Sequence, residues 1–197
     1  MDKYNVYQDM SRRTGGEIYL GIVGPVRTGK STFIKRFMEL VVIPEMSDDN
    51  EKVRTIDELP QSADGKTIMT TEPKFIPKEA AVIHFSNQET GKIRLIDCVG
   101  YLVPEAVGAI EEEKERMVKT PWSEEEIPFS KAAEIGTSKV IREHSNLGLI
   151  ITTDGSFGDI PAVNFEEALQ KTVMECEKAG KPFLTVSYTH LTLPTTS

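Results

Sequence analysis

The stretch that decides the fold is Gly24-Pro25-Val26-Arg27-Thr28-Gly29-Lys30-Ser31, which has the spacing G-x-x-x-x-G-K-S. An apolar run at residues 18–23 precedes it and predicts a buried strand. The residues that follow it carry apolar side chains at helical spacing, which predicts the inner face of a helix formed by Phe33, Ile34, Phe37, Met38 and Val41. A glycine-rich loop between a strand and a helix is typical of a phosphate-binding loop.

The residue types in this loop suit a nucleoside triphosphate bound together with Mg²⁺. Backbone N–H groups of such a loop converge on the phosphates, and the helix that follows offers its positive end to the anion. We expect Lys30 to reach the β and γ oxygens and the Ser31 hydroxyl to ligate the metal. The candidate nucleotide-binding residues are therefore Gly24, Arg27, Thr28, Gly29, Lys30, Ser31 and Thr32.

Arg27 lies at the loop position where many cation-activated GTPases carry an asparagine that helps to hold a potassium ion. One interpretation is that its guanidinium replaces that ion and places fixed positive charge near the bridging oxygens. The other is that Arg27 faces solvent or pairs with an acidic loop residue. The sequence leaves both open.

A second motif follows at residues 92–100, where an increasingly apolar strand ends in Asp97 and is followed by Gly100. In this D-x-x-G arrangement the carboxylate can hold Mg²⁺ through water, and the glycine N–H can approach the γ-phosphate because no Cβ blocks it. The alternative is a strand that simply ends in a turn. The upstream loop favours the metal-binding interpretation.

Two adjacent threonines, Thr70 and Thr71, lie between the first predicted helix and the second motif. A threonine hydroxyl can complete the Mg²⁺ shell, and its backbone N–H can respond to the γ-phosphate. The metal ligands predicted from the sequence are therefore Ser31, Thr71 and Asp97. The alternative is an exposed loop whose threonines cap a helix or contact water.

The order of the predicted elements indicates one α/β domain with a doubly wound sheet and the loop at its carboxyl edge. Residues 81–85 pair with the D-x-x-G strand as a hairpin, so one strand of a mostly parallel sheet runs antiparallel. Further segments are predicted as a helix at 129–143, a strand at 147–153, a helix at 165–179 and a final strand at 183–186. The last helix has a predicted N-cap at Asn164 with Glu167, and a predicted inner face of Phe165, Ala168, Leu169, Thr172, Val173 and Cys176.

Two segments lack this regular pattern. Residues 47–60 form a polar stretch, and residues 101–128 form a long connection directly after Gly100. The acidic run at 111–116 is most simply a solvated helix face, and Trp122 most simply packs in the interior. The alternative is an interaction loop whose position follows the nucleotide.

Composition narrows the class of protein. The formal net charge of −8 argues against sequence-independent nucleic-acid binding. Cys98 and Cys176 both lie in apolar patterns, which predicts reduced core residues rather than a disulfide. No apolar run approaches the roughly 20 residues of a membrane span, and the amino terminus lacks a secretion-signal layout, so we expect a soluble, cytoplasmic chain.

The residues that would read the base are missing. In GTPases an N-K-x-D sequence follows the final strand, and its aspartate binds the guanine edge. Residues 187–197 contain neither lysine nor aspartate. The sequence alone therefore leaves ATP and GTP undecided.

Four segments together resemble the amino-terminal ATPase domain of the stage IV sporulation protein A family. They read GPVRTGKST at 24–32, TIMTTEP at 67–73, IRLIDCVGY at 93–101 and TPWSEEEIP at 120–128. The resemblance implies a P-loop fold like that of translation-factor-class GTPases, with ATP as the hydrolysed nucleotide. By position it implies that Lys30 binds nucleotide, Asp97 organises the metal, and Thr70 and Thr71 sense the γ-phosphate.

The same resemblance implies a protein of the spore coat basement layer. Such a protein self-assembles on the outer forespore membrane in the mother cell, and other regions of it contact a small amphipathic membrane-anchoring peptide. We expect the ATPase domain to span residues 1–185 and residues 186–197 to be a non-native tail.

Two other functions remain open from the residues. One is a GTP-dependent switch of the ribosome- or RNA-associated class. The other is a small-molecule kinase, against which the threonines before D-x-x-G count.

Overall fold

The fold is described by a computed structural model at residues 14–60, 71–84, 90–106, 110–111, 114–156 and 160–188. These ranges contain nine strands: β1 Glu17–Val23, β2 Lys74–His84, β3 Thr90–Asp97, β4 Ile110–Glu111, β5 Lys114–Glu115, β6 Met117–Thr120, β7 Ser123–Pro128, β8 Leu147–Thr153 and β9 Phe183–Tyr188. Five of them form one sheet in the order β2-β3-β1-β8-β9. The remaining four form two antiparallel two-stranded sheets, β4–β5 and β6–β7.

The main sheet is parallel except at one edge. β1 pairs in parallel with β3 and β8, and β8 pairs in parallel with β9. β2 pairs antiparallel with β3, and this register places Lys74 opposite Asp97. The expected mostly parallel α/β sheet with one antiparallel strand is confirmed.

In the described part of the chain, five α-helices accompany the sheet: α1 Lys30–Phe37, α2 Ile43–Glu45, α3 Asp49–Glu58, α4 Phe129–Lys139 and α5 Glu166–Lys178. α1 and α4 each continue into a π-helical turn, at Met38–Val42 and Val140–His144, and a 3₁₀ turn at Ala162–Phe165 leads into α5. Among the described residues, no helix has the length and apolar character that a membrane crossing requires.

Both faces of the central strands β1 and β8 are covered, which fits their largely apolar sequences. One buried cluster joins Ile22 of β1 to Ile34 and Met38 on the α1 side. A second joins Val23, the next residue of β1, to Val140 and Cys176 on the α4 and α5 side. Successive strand residues point to opposite faces, so β1 is fixed between two helical layers and its end, where the loop begins, is held firmly. Cys98 and Cys176 are buried free thiols, as expected.

The helix after the loop differs from the prediction at its end. Val41 was expected on the inner face, but 46% of it is exposed, whereas Val42 is fully buried. The π-helical turn at Met38–Val42 explains this, because its wider turn adds a residue and moves the inner face from Val41 to Val42.

Two irregular segments also have more structure than the sequence indicated. The polar stretch at 47–60 contains α3, whose first turn is capped by Asp48, since its carboxylate accepts hydrogen bonds from the N–H groups of Asn50 and Glu51. The acidic run at 111–116 was expected on a helix, and that prediction is wrong, because β4 and β5 occupy Ile110–Glu111 and Lys114–Glu115.

The last two elements differ in detail. The predicted Asn164 cap is wrong: α5 has no side-chain cap there, and the Asn164 amide donates instead to the Pro104 carbonyl at 3.5 Å. The final strand was expected to end at Val186 but runs to Tyr188, opposite Thr153 of β8. Residues 189–197, the rest of the expected tail, lie outside the described residues.

Candidate functional site

The phosphate-loop sequence lies between β1 and α1, as its spacing predicts. Two of its glycines occupy backbone conformations that L side chains rarely adopt. Gly24 has a φ of 132°, and a Cβ there would lie 2.3 Å from the Ile151 carbonyl oxygen of β8. Gly29 has a φ of 83° and directly precedes α1. A Cβ at position 24 would therefore clash with β8, and the left-handed backbone at position 29 favours glycine.

Lys30 lies under this loop, with only 5% of its surface exposed. Its Nζ donates to the Pro25 carbonyl oxygen at 2.6 Å and to the Gly24 carbonyl oxygen at 3.5 Å. Burial lowers the pKa of Lys30 from its usual value, while Cys98 and Asp97 oppose that shift. The neutral carbonyls thus offset only part of the free-energy cost of burying the Lys30 ammonium charge. An anionic phosphate would be a better partner for it.

Ser31 and Asp97 meet at the mouth of the loop. The Ser31 hydroxyl donates to Asp97 Oδ2 at 2.7 Å and so links the first turn of α1 to the end of β3. Among the described residues, the buried Asp97 Oδ1 has no hydrogen-bond partner. Burial is the main reason that the pKa of Asp97 is raised. A hydroxyl beside a carboxylate with a spare oxygen is a donor set that suits Mg²⁺, which takes its other ligands from water and phosphate.

Gly100 brings the second motif against the first. Its φ is 93°, and a Cβ there would lie 2.1 Å from the Gly24 carbonyl oxygen and 2.7 Å from Lys30 Nζ. The following residue, Tyr101, accepts a 2.9 Å hydrogen bond at its carbonyl from the Val26 N–H. The D-x-x-G turn and the phosphate loop therefore form one closely packed unit.

Thr71 lies near the same edge of the sheet but makes a different contact. It precedes β2, and Lys74 at the start of that strand lies opposite Asp97. Thr71 is buried, and its carbonyl oxygen packs on α4, 2.6 Å from where a Cβ of Gly136 would lie. Thr70 lies outside the described residues.

The structure thus gathers five predicted site residues around one point: Gly24, Lys30, Ser31, Asp97 and Gly100. Thr28 supports the loop from within, because its buried hydroxyl donates to the Pro25 carbonyl at 2.9 Å. Arg27 and Thr32 are exposed, and Arg27 has a φ of 61°.

Sequence reasoning missed two residues that shape this site. Tyr101 holds the two motifs together and is itself covered by Lys171, whose Nζ lies 4.9 Å from the ring centroid. Gly136 provides the flat surface on which Thr71 packs. Glycine in the middle of a helix is unfavourable, and this was the available signal that position 136 has a special requirement.

A family model and three curated relatives all match this chain to the same protein family. Residues 1–195 match the family model described as the ATPase domain of stage IV sporulation protein A. Stage IV sporulation protein A of Bacillus subtilis (strain 168) is 57% identical over 186 residues, and that of Bacillus anthracis is 55% identical over 186 residues. The Clostridioides difficile (strain 630) protein is 50% identical over 182 residues.

These matches cover 92–94% of this chain but only 37–38% of each relative. The chain therefore spans well under half the length of the curated relatives it matches. The match covers the phosphate loop, the D-x-x-G turn and the sheet that holds them. This chain belongs to the stage IV sporulation protein A family, within its ATPase domain.

Proposed function

We propose that this chain binds ATP with Mg²⁺ at residues 24–32 and hydrolyses it, and that it serves as the ATPase domain of a spore coat morphogenetic protein. The observation that carries the proposal is the junction of the two motifs: Ser31 bonded to Asp97, with Lys30 buried beside them. Asp97 Oδ1 has no hydrogen-bond partner among the described residues, and the buried Lys30 ammonium group donates only to neutral carbonyls. A Mg²⁺-bound triphosphate would supply the ligand that each one lacks.

One group of residues binds the phosphates and another binds the metal. Lys30 exchanges the Pro25 carbonyl for the β and γ oxygens, and the backbone N–H groups of the loop hold the phosphates. Ser31 and Asp97 hold the metal, with Thr71 as the third protein group of the set. When bound, Mg²⁺ would supply positive charge beside the phosphates of ATP, whose γ-phosphoryl group is the one transferred to water.

Gly100 and the threonine pair respond to the γ-phosphate. Gly100 lies beside Lys30, so its N–H can approach the same oxygens without hindrance from a Cβ. Thr70 and Thr71 would order their segment around the intact triphosphate and release it after hydrolysis. Arg27, exposed on the loop, is assigned to the same nucleotide-binding set.

The fold assignment within this proposal is that of a translation-factor-class GTPase that has lost guanine selectivity. Its support is the antiparallel β2 beside β3 together with the motif pair, and the preference for ATP over GTP rests on family membership. Family membership does not favour the GTP-dependent switch of the ribosome- or RNA-associated class.

For the whole protein we propose the cellular role and location that the family implies. ATP hydrolysis in this domain would drive self-assembly into a static polymer at the outer forespore membrane in the mother cell. Contact with a small amphipathic anchoring peptide is attributed to regions of the relatives beyond the matched part. The domain itself is assigned to residues 1–185.

A phosphate-release assay tests the catalytic part of this proposal. The parent chain should release phosphate from ATP with Mg²⁺, and Ser31→Ala should lower that rate by about tenfold or more because it removes a metal ligand. Ser138→Ala is the matched control, since the Ser138 hydroxyl also donates to a carboxylate, that of Glu175 at 3.2 Å. Equal rates in parent and Ser31→Ala would contradict the proposal.

A further inference from the structure

Three elements meet at Gly136 in the middle of α4. A Cβ at this position would lie 2.6 Å from the Thr71 carbonyl oxygen and 3.8 Å from the Trp122 ring. Thr71 and Trp122 are therefore neighbours on one small area of the helix surface. Trp122 lies at the turn between β6 and β7, so this hairpin reaches the segment that carries Thr71.

The same turn of α4 also contacts the D-x-x-G motif. Thr137, the residue after Gly136, is fully buried; its hydroxyl donates to the Ala133 carbonyl at 2.8 Å and lies close enough to the Cys98 thiol to oppose the rise of that thiol's pKa. Cys98 directly follows Asp97. Two successive residues of α4 thus contact the Thr71 segment and the strand end that holds the metal-binding carboxylate.

The β6–β7 hairpin is fixed to the start of α4. The Phe129 N–H donates to the Arg116 carbonyl at 2.8 Å, and the Arg116 guanidinium lies 5.1 Å from the Phe129 ring centroid. Phe129 itself is fully buried. A shift of α4 would therefore be transmitted to the hairpin and to Trp122.

Two polar groups on this hairpin have unmet hydrogen-bonding capacity. Trp122 Nε1 and Thr120 Oγ1 are buried, and among the residues that the structure describes neither has a hydrogen-bond partner. Buried donors without an acceptor are unfavourable and uncommon in native structures. A second arrangement of the hairpin against α4 could provide the missing partners.

We propose that Trp122 and Gly136 form a platform that positions Thr71 for the γ-phosphate, and that the surroundings of Trp122 change when a triphosphate binds. This inference rests on the proposed function. Binding of the γ-phosphate draws Thr71 toward the metal, which moves its carbonyl across the platform. Trp122 acts as a positioning residue through Thr71 and does not touch the nucleotide.

The single tryptophan of the chain allows a direct test by intrinsic fluorescence. A non-hydrolysable ATP analogue with Mg²⁺ should change the Trp122 emission, whereas ADP with Mg²⁺ should change it little. Calorimetry on the same samples reports binding separately. Absence of binding would overturn the proposed function and the platform with it, and binding without an emission response would overturn the platform alone.

Gly136→Ala tests the platform most specifically, because its methyl group would displace the Thr71 carbonyl. We expect the analogue to bind within about threefold of the parent, while kcat falls about tenfold or more because a positioned group is misplaced. The analogue-dependent emission change should be lost. Ser138→Ala, on the same helix, should keep both kcat and the emission change.

Trp122→Phe is the second variant, for the case that Gly136→Ala does not fold. It keeps an aromatic ring but removes both the N–H group and the far edge of the indole, Cη2, which faces Gly136. The proposal expects a lower kcat with an unchanged KM for ATP. An unchanged kcat in Trp122→Phe, or in a folded Gly136→Ala that also keeps the emission change, would overturn the proposal.

Discussion

The hydroxyl of Ser31 donates a 2.7 Å hydrogen bond to Asp97 Oδ2, across 66 residues of sequence. This contact joins the first turn of α1 to the end of β3 and places both predicted metal-binding side chains in one position. It forms because β1 and β3 are parallel neighbours, so their carboxyl ends meet at the same edge of the sheet. Asp97 Oδ1 remains buried without a partner in the described part of the chain.

Replacing Asp97 tests the metal site. Asp97→Asn keeps the shape and the hydrogen bond from Ser31 but removes the negative charge, so Mg²⁺ affinity should fall by at least about tenfold. ATP turnover should fall with it, and excess Mg²⁺ should restore only part of the rate. A magnesium titration of phosphate release measures both effects. Asp57→Asn, an exposed change on α3, is the control, and a parent-like titration curve for Asp97→Asn would refute the metal assignment.

Lys30 is expected to be needed for nucleotide rather than for folding. Lys30→Met removes the charge that faces the β and γ oxygens, so triphosphate binding should become undetectable by calorimetry. The empty domain should remain folded and be at least as stable as the parent, because a buried ammonium ion has been removed. Lys35→Met, one turn later on the helix surface, should bind normally. Parent-like ATP affinity in Lys30→Met would contradict the assignment.

The same variant has a predictable pH dependence. The pKa of Lys30 is lowered by burial in the folded state, so the folded protein binds fewer protons than the unfolded chain between the folded pKa and 10.5. The destabilisation due to Lys30 is therefore fully present below that window and is lost as pH rises through it. The stability advantage of Lys30→Met should shrink toward pH 10.5. Thermal melts across this range measure it, and an advantage that grows with pH would contradict the assigned cause.

Gly100 offers a test of the close contact between the motifs. In Gly100→Ala the new Cβ would meet the Gly24 carbonyl oxygen at 2.1 Å, in addition to the strain of a positive φ. We expect the free energy of unfolding to fall by well over about 1 kcal/mol. Gly180→Ala is the matched control, since its φ is 62° but nothing lies within 4 Å of its Cβ. Urea melts should show a clearly larger loss for Gly100→Ala, and equal losses would refute the contact.

Replacing the threonine pair should reduce ATP hydrolysis while leaving ATP binding largely unchanged. Changing both Thr70 and Thr71 to alanine should leave ATP affinity within about threefold of the parent, because the loop and Lys30 supply most of the binding. Hydrolysis should fall strongly, since the segment no longer orders around the γ-phosphate. Calorimetry and phosphate release measure the two quantities. Parallel loss of both would indicate a structural role for this segment.

The parts of the fold that follow from local sequence were predictable. The phosphate loop, the D-x-x-G turn and the hairpin of β2 with β3 each depend on a short pattern whose chemistry allows few alternatives. Val41 was assigned to the wrong face because a π-helical turn depends on tertiary packing. The helix α3 was missed because its residues are mostly polar, although Asp48 and Glu51 have the spacing of a helix cap.

The arrangement of the site was only partly accessible from the sequence. Parallel strand order brings Ser31 to Asp97, and that order can be inferred from the alternation of strands and helices. The contact between Thr71 and Gly136 joins residues 65 positions apart across an irregular connection, and no short pattern encodes it. Long-range packing of this kind becomes visible only in three dimensions.

Thermal stabilisation by nucleotide tests the central claim most directly. ATP with Mg²⁺ at about a hundred times its Kd should stabilise the parent chain by roughly 2.7 kcal/mol and raise its melting temperature by about 5–10 °C. GTP with Mg²⁺ should have a much smaller effect, and Lys30→Met should show no shift with either nucleotide. A parent chain whose melting temperature does not change with ATP and Mg²⁺, or a shift that persists in Lys30→Met, would contradict the account.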